Sequence, residues 1–144
     1  MSESVALVTG ASSGIGRATA LHLAALGFTV YAAARRVARM SDLADRGIHI
    51  ESLDVTDDGS MVAVVDKIVS EQGRIDILVN NAGYGSYGAV EDVPIAEGRR
   101  QFDVNVFGLA RLTQLVLPHM RAQRDGYIVT SLPTLRVANP AHCP

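Results

Sequence analysis

The 144-residue sequence predicts an α/β fold in which helices cover both faces of a doubly wound parallel sheet of about five strands. Three observations predict it. Short apolar runs without polar alternation recur along the chain, as expected of strands buried on both faces. Segments with helical spacing separate them. A glycine-rich turn stands where the first run gives way to the first helix.

The first strand is Val5-Ala-Leu-Val-Thr9. From Ile15 to Leu26, residues Ile15, Ala18, Leu21, Leu23, Ala25 and Leu26 follow a mostly helical spacing, and Gly27 supplies the stop. Phe28 to Ala33 is the second strand, closed by the charges of Arg35 and Arg36. A short helical segment around Ser41 to Asp45 leads to a third strand, Ile48 to Leu53. Asp57 and Asp58 then open a helix reaching about Gln72. The fourth strand is Ile75 to Val79. One long helix is predicted from Ile95 to about Arg121, with Phe102, Val106, Leu109, Leu112, Leu115 and Val116 as its inward stripe and Pro118 kinking or loosening its end. Tyr127 to Thr130 is the fifth strand. Residues 1–131 are expected to form one domain, followed by an irregular tail at 132–144 with Pro133, Pro140 and Pro144.

Composition narrows the function. With 48% hydrophobic residues, 19% charged residues and a net charge of -2, the chain has a globular core and no basic field for nucleic acid. The opening Met1-Ser-Glu-Ser lacks a basic segment, and Val5 to Val8 is too short for a signal peptide or membrane span, so a cytoplasmic location and no membrane partner are expected. Cys143 is the single cysteine. It can form neither an intrachain disulfide nor a cysteine-rich zinc site, and no metal is expected.

The chemistry begins at Thr9-Gly-Ala-Ser-Ser-Gly-Ile-Gly16. Where a strand becomes a helix, backbone N–H groups and the helix dipole converge on an anion, and a pyrophosphate fits there. Gly10, Gly14 and Gly16 suit a tight turn with positive φ and a close approach of phosphate and helix. The turn lacks the lysine of a P-loop. On its own, a trio of glycines also fits an incidental loop. Two further segments, Asp54-Val55 after strand three and Asn80-Asn-Ala-Gly83 after strand four, stand at the same carboxyl ends of the sheet, where such a crevice forms.

The T-G-x-x-x-G-x-G turn and the N-N-A-G motif, in this order and spacing, resemble the short-chain dehydrogenase/reductase family, and the resemblance runs to about Val129. It implies a Rossmann-type domain and hydride transfer between a nicotinamide cofactor and a carbonyl or alcohol substrate. Carried onto these positions, it places Gly10, Ser12, Ser13, Gly14, Ile15 and Gly16 around the phosphates and ribose. Asp54 would accept from the adenine amino group, with Val55 packed on the ring. Asn81, Ala82 and Gly83 would line the nicotinamide-ribose side, while Asn80 would brace strand four. Asn105, in Phe102-Asp-Val-Asn-Val-Phe-Gly108, matches the asparagine that interrupts the family's helix and holds a water of the proton relay. For Asp54 the alternative is a turn or cap residue, and for Asn80 and Asn81 a turn held by side-chain bonds.

Cofactor choice rests on the end of strand two. An acidic residue there would bind both ribose hydroxyls of NAD and repel a 2′-phosphate, but this chain has Ala34-Arg35-Arg36. Arginine pairs bidentately with phosphate, so NADP(H) is favoured over NAD(H). The alternative is a pair of solvated arginines on an exposed turn.

The resemblance also breaks. The family's strand G-x-I-V-x-x-S-S here reads Gly126-Tyr-Ile-Val-Thr-Ser-Leu-Pro133, which sets a proline at the catalytic serine position. Ser131 would substitute only across a two-residue deletion. The Y-x-x-x-K pair is absent from these residues: positions four beyond Tyr31, Tyr84, Tyr87 and Tyr127 hold Arg35, Gly88, Glu91 and Ser131, and Lys67 is the only lysine. Catalysis is therefore doubtful for the chain as it stands, and a non-catalytic dinucleotide-binding or interaction protein is the alternative. An exposed edge at Ile128 to Thr130 would favour self-association.

Overall fold

The computed structural model describes residues 3–86 and 88–131. Tyr87 and the expected tail at 132–144, with Pro133 and Cys143, lie outside the described residues. Five strands form one all-parallel sheet: β1 (Val5–Thr9), β2 (Thr29–Ala34), β3 (His49–Ser52), β4 (Ile77–Asn80) and β5 (Tyr127–Thr130), in the order β3-β2-β1-β4-β5. The helices are α1 (Gly14–Ala25), α2 (Ser41–Ala44), α3 (Asp58–Gln72), α4 (Ile95–Phe102) and α5 (Leu109–Gln123).

The alternation within β1 shows how the core is divided. Val5 and Leu7 belong to a cluster with Val64, Val65 and Ile68 of α3 and Leu112, Val116 and Met120 of α5. Ala6 and Val8 join Ala20 of α1 and Leu43 of α2 on the opposite face. Both faces of the strand are thus dry, which is why its sequence is uniformly apolar. Helix α3 starts on Asp57, whose side chain accepts from the Ser60 N–H at 3.4 Å, and stops on Gly73 at φ 72°.

Three expectations are corrected. Strand β4 starts two residues later than Ile75, because Ile75 and Asp76 instead form a joint beneath the sheet: the Ile75 N–H donates to Gln123 Oε1 at 3.0 Å and the Asp76 N–H to the Val5 carbonyl at 2.8 Å. The long helix is broken at Asp103–Gly108 by a wide turn of π-helical geometry that joins α4 to α5. Phe102 and Val106, expected to face inward, are 59% and 45% exposed, while Leu112 and Val116 are buried as expected. Pro118 lies within α5, which continues to Gln123, so the proline removes one N–H from the ladder without ending the helix.

The joint at Asp76 carries a pH prediction. Its Oδ2 accepts from the Val5 N–H at 2.7 Å, and Arg74 Nε approaches both carboxylate oxygens at 3.1 and 2.9 Å. Burial pushes this carboxyl up, but the Arg74 bonds and the Val5 N–H outweigh it and hold its pKa below the ordinary value. Its contribution to stability is full above the unfolded carboxylate pKa of about 3.9, and is lost as pH falls through the lower folded value. The stability gap between wild type and Asp76→Asn is expected to close in that acid window. A gap that stays constant in urea melts from neutral pH down to about pH 2 would refute this.

Candidate functional site

The strand order reverses between β1 and β4, and their carboxyl ends open a crevice there. Register sets its depth: Val8 lies opposite Val79, Thr9 opposite Ala33, and Asn80 opposite Thr130. Chain ends from β1, β2, β4 and β5 therefore reach a common level around a cavity of about 410 Å³. Gly10, Ser12, Ser13, Ile15, Arg35, Arg36, Asp54, Val55, Asn81, Ala82 and Gly83 line it. Of the residues expected at the site, Gly14, Gly16 and Asn105 lie outside this lining.

The glycine turn explains two of those three. Gly10 and Gly14 have φ of +64° and +57°, the left-handed region that disfavours side chains. A Cβ on Gly10 would stand 2.9 Å from Ala82 Cα, and one on the buried Gly16 would overlap the Gly10 carbonyl and Asn81 Nδ2. Glycine at these two positions lets the turn from β1 touch the segment leaving β4. The turn is tied to β2 by the Ala11 N–H, which donates to the Ala33 carbonyl at 3.2 Å. Helix α1 then begins behind Ser13, with no acidic residue in its first turn and no capping bond from the Ser13 side chain. Its positive end faces the crevice uncompensated.

Thr9 is a joint that sequence reading missed. Its side-chain oxygen accepts from the Asn81 N–H at 3.0 Å and the Ala82 N–H at 2.9 Å, while donating to the Val79 carbonyl at 3.3 Å. Asn81 answers with Nδ2, which donates to the carbonyls of Thr9 and Gly10, each at 3.3 Å. The only cue in the sequence is a hydroxyl ending an apolar strand. Thr9 is 1% exposed, so Thr9→Val keeps the shape and strands two N–H groups. A loss of about 2 kcal/mol is expected in denaturant unfolding. An unchanged midpoint would show that the hydroxyl bonds are dispensable.

Asp54 stands at the cavity with one carboxylate oxygen bonded within its own turn. Its Oδ1 accepts from the Thr56 N–H at 2.9 Å and the Thr56 hydroxyl at 2.7 Å, while Oδ2 accepts no hydrogen bond among the described residues. The Thr56 bonds, with a smaller contribution from the Arg35 charge, keep this carboxyl ionised below its usual range. Arg35 and Arg36 are exposed at the cavity rim, and neither enters an ion pair among the described residues. Arg17, by contrast, is held by Asp42 and by the Arg39 carbonyl.

On the β4 side, Asn80 Nδ2 donates to Thr113 Oγ1 at 3.1 Å, bracing the strand against α5. Asn105 sits in the wide turn, and its amide closes a two-way bond with the main chain of Tyr84: the Tyr84 N–H donates to Oδ1 at 3.1 Å, and Nδ2 donates to the Tyr84 carbonyl at 2.8 Å. The half-buried amide is thereby satisfied. Tyr84, Val104 and Ser131 also line the cavity, and no motif in the sequence marks the first two.

Comparison with known proteins agrees with this geometry. The family model described as short chain dehydrogenase matches residues 4–132. An uncharacterized oxidoreductase of Bacillus subtilis, YusZ, is 42% identical over 137 residues, covering 90% of this chain and 48% of the relative. A short-chain dehydrogenase from Streptomyces avermitilis superposes with a TM-score of 0.87 at 44% identity, covering 90% of this chain and 49% of that one. An alcohol dehydrogenase from Thermococcus sibiricus, solved with 5-hydroxy-NADP, superposes with a TM-score of 0.81 at 29% identity, covering 89% of this chain and 57% of that one. The chain spans about half the length of the relatives it matches. Its sheet order, glycine turn and match over residues 4–132 make it a member of the short-chain dehydrogenase/reductase family.

Proposed function

We propose that these 144 residues bind NADP(H) in the crevice between β1 and β4 as the cofactor-binding half of an oxidoreductase acting on a carbonyl or alcohol. The observation that carries the cofactor choice is the pair of rim arginines, Arg35 and Arg36, which find no carboxylate partner among the described residues. They follow β2, where a 2′-phosphate would meet them, and guanidinium pairs bidentately with phosphate. The remaining parts fit a dinucleotide. Gly10, Ser12, Ser13, Ile15 and the α1 N-terminus would hold the phosphates, Asp54 and Val55 the adenine, and Asn81, Ala82 and Gly83 the nicotinamide ribose. When bound, the nicotinamide supplies the hydride acceptor or donor.

Calorimetry on the purified chain is expected to give a dissociation constant for NADPH at least about tenfold below that for NADH, the equivalent of one charge-assisted bond. Equal affinities would refute the cofactor choice, and no binding of either would refute the site.

A second reading, binding without turnover, is favoured by the missing Y-x-x-x-K pair. General acid–base help worth roughly 10²–10⁴-fold would lack that tyrosine–lysine pair in these residues. In this reading Asn105 contributes by holding Tyr84 rather than by completing a relay. Steady NADPH oxidation by the 144-residue chain with a ketone or aldehyde would overturn it.

Self-association through β5 is part of the proposal. Tyr127, Ile128 and Val129 are exposed on a strand that borders the sheet among the described residues, whereas the β3 border carries His49 and the Glu51–Lys67 ion pair. Sedimentation over a concentration series is expected to show dimers, and a monomer throughout would remove the idea. Cytoplasmic location belongs to the same proposal. No helix among the described residues is long and apolar enough to cross a membrane.

A further inference from the structure

The segment leaving β4 forms one wall of the crevice, yet Gly83, Tyr84, Gly85 and Ser86 have no regular secondary structure of their own. Side chains from elsewhere must therefore hold it. Asn105 holds the Tyr84 main chain from the wide turn. A second hold comes from α4. Glu97 accepts from the Ser86 hydroxyl at 2.9 Å through Oε1, and from Arg100 Nε at 3.0 Å through Oε2.

We infer that Glu97 is a positioning residue for the dinucleotide site, clamping the Tyr84–Ser86 wall through the Ser86 hydroxyl so that the wall meets the nicotinamide end of the cofactor. The inference rests on the dinucleotide reading above but does not follow from it. Glu97 does not line the cavity and belongs to no motif used to recognise the site. Two further observations support the clamp. The Tyr84 phenol is pushed up, by burial first and then by the Glu97 charge, so the same carboxylate reaches the side chain that faces the cavity. The Glu97 carboxyl is held below its usual range by the Ser86 hydroxyl and by Arg100, so it is ionised and a strong acceptor at neutral pH.

The clamp acts on one end of the cofactor only, and two probes separate the ends. NADPH spans the whole crevice, while adenosine 2′,5′-bisphosphate lacks the nicotinamide half. Loss of an ordering contact in a binding loop costs about three- to tenfold in affinity. Glu97→Ala is expected to weaken NADPH binding by that factor and to leave the bisphosphate within about twofold, since the adenosine end is held by other elements. Glu97→Gln keeps an acceptor for Ser86 and is expected to restore most of the loss. Ser86→Ala, which deletes one hydroxyl and leaves α4 untouched, is expected to show the same selectivity if Glu97→Ala does not fold. Parallel weakening of both probes, or weakening of neither, overturns the clamp while the dinucleotide reading stands. A wild-type chain that binds neither probe overturns that reading and the clamp with it.

Discussion

Replacing Arg35 and Arg36 together with alanine is expected to weaken NADPH binding about a hundredfold and to leave NADH binding within about twofold. Each guanidinium can make charge-assisted bonds to a 2′-phosphate, worth about 1.5–3 kcal/mol in a protein setting. The lower end applies here because both side chains are exposed, and solvent screens them. Arg35→Ala alone is expected to cost about tenfold. The wild-type preference should also shrink as salt is raised, because exposed charges are screened within about 8 Å at physiological ionic strength. Equal losses for the two cofactors would mean that the arginines shape the turn and do not read the phosphate. No loss for either would make them solvated surface residues.

The sheet and most of the crevice were legible because the residues involved act through the backbone. In a strand-to-helix turn glycines signal positive φ, which Gly10 and Gly14 adopt, and close approach, which Gly10 and Gly16 make, and a run such as Val5–Thr9 signals a strand dry on both faces. Asp54 and the Asn80–Gly83 segment were legible by position, since loops at the carboxyl ends of parallel strands share one crevice.

What stayed hidden depends on tertiary register. The wide turn at Asp103–Gly108 inserts about one residue relative to an uninterrupted α-helix, and one residue is about 100° of rotation. Counted back from Leu112 at even spacing, Phe102 falls about 80° away, at the edge of the buried face, and the inserted residue carries it to about 180°, where it is exposed; Val106, about 120° away, lies off the stripe even without the insertion. Asn105 marks the break, but a single asparagine does not state how far the helix turns there. The Thr9 and Glu97 bonds were hidden for another reason. Thr9 meets Asn81 and Ala82 across 72 and 73 positions of chain, and only the parallel pairing of β1 with β4 brings them together. Tyr84 entered the sequence argument only as a tyrosine without its lysine, and its place in the cavity wall follows from Asn105 and Ser86.

Gly16→Ala is expected to destabilise the fold by about 3 kcal/mol and to abolish measurable NADPH binding, while Gly14→Ala costs about 1 kcal/mol. Helix propensity alone gives the opposite sign at Gly16, since alanine in a helix interior is favoured over glycine by roughly 1 kcal/mol. Contact decides the matter. Gly16 is buried in the first turn of α1, and an added Cβ overlaps the carbonyl of Gly10 and the amide nitrogen of Asn81. Neither can yield alone: Gly10 is fixed by its own proximity to Ala82, and Asn81 Nδ2 is committed to the carbonyls of Thr9 and Gly10. Relief of the overlap must part β1's turn from β4's, and that is the opening in which the cofactor would lie. At Gly14 an added Cβ meets nothing within 4 Å, so only the strain of φ +57° opposes it. Urea unfolding of both variants, with calorimetry on NADPH, tests the contrast. Equal stability losses, or a Gly16→Ala protein that binds normally, would show that the two turns part without harm and that the crevice is not built on their contact.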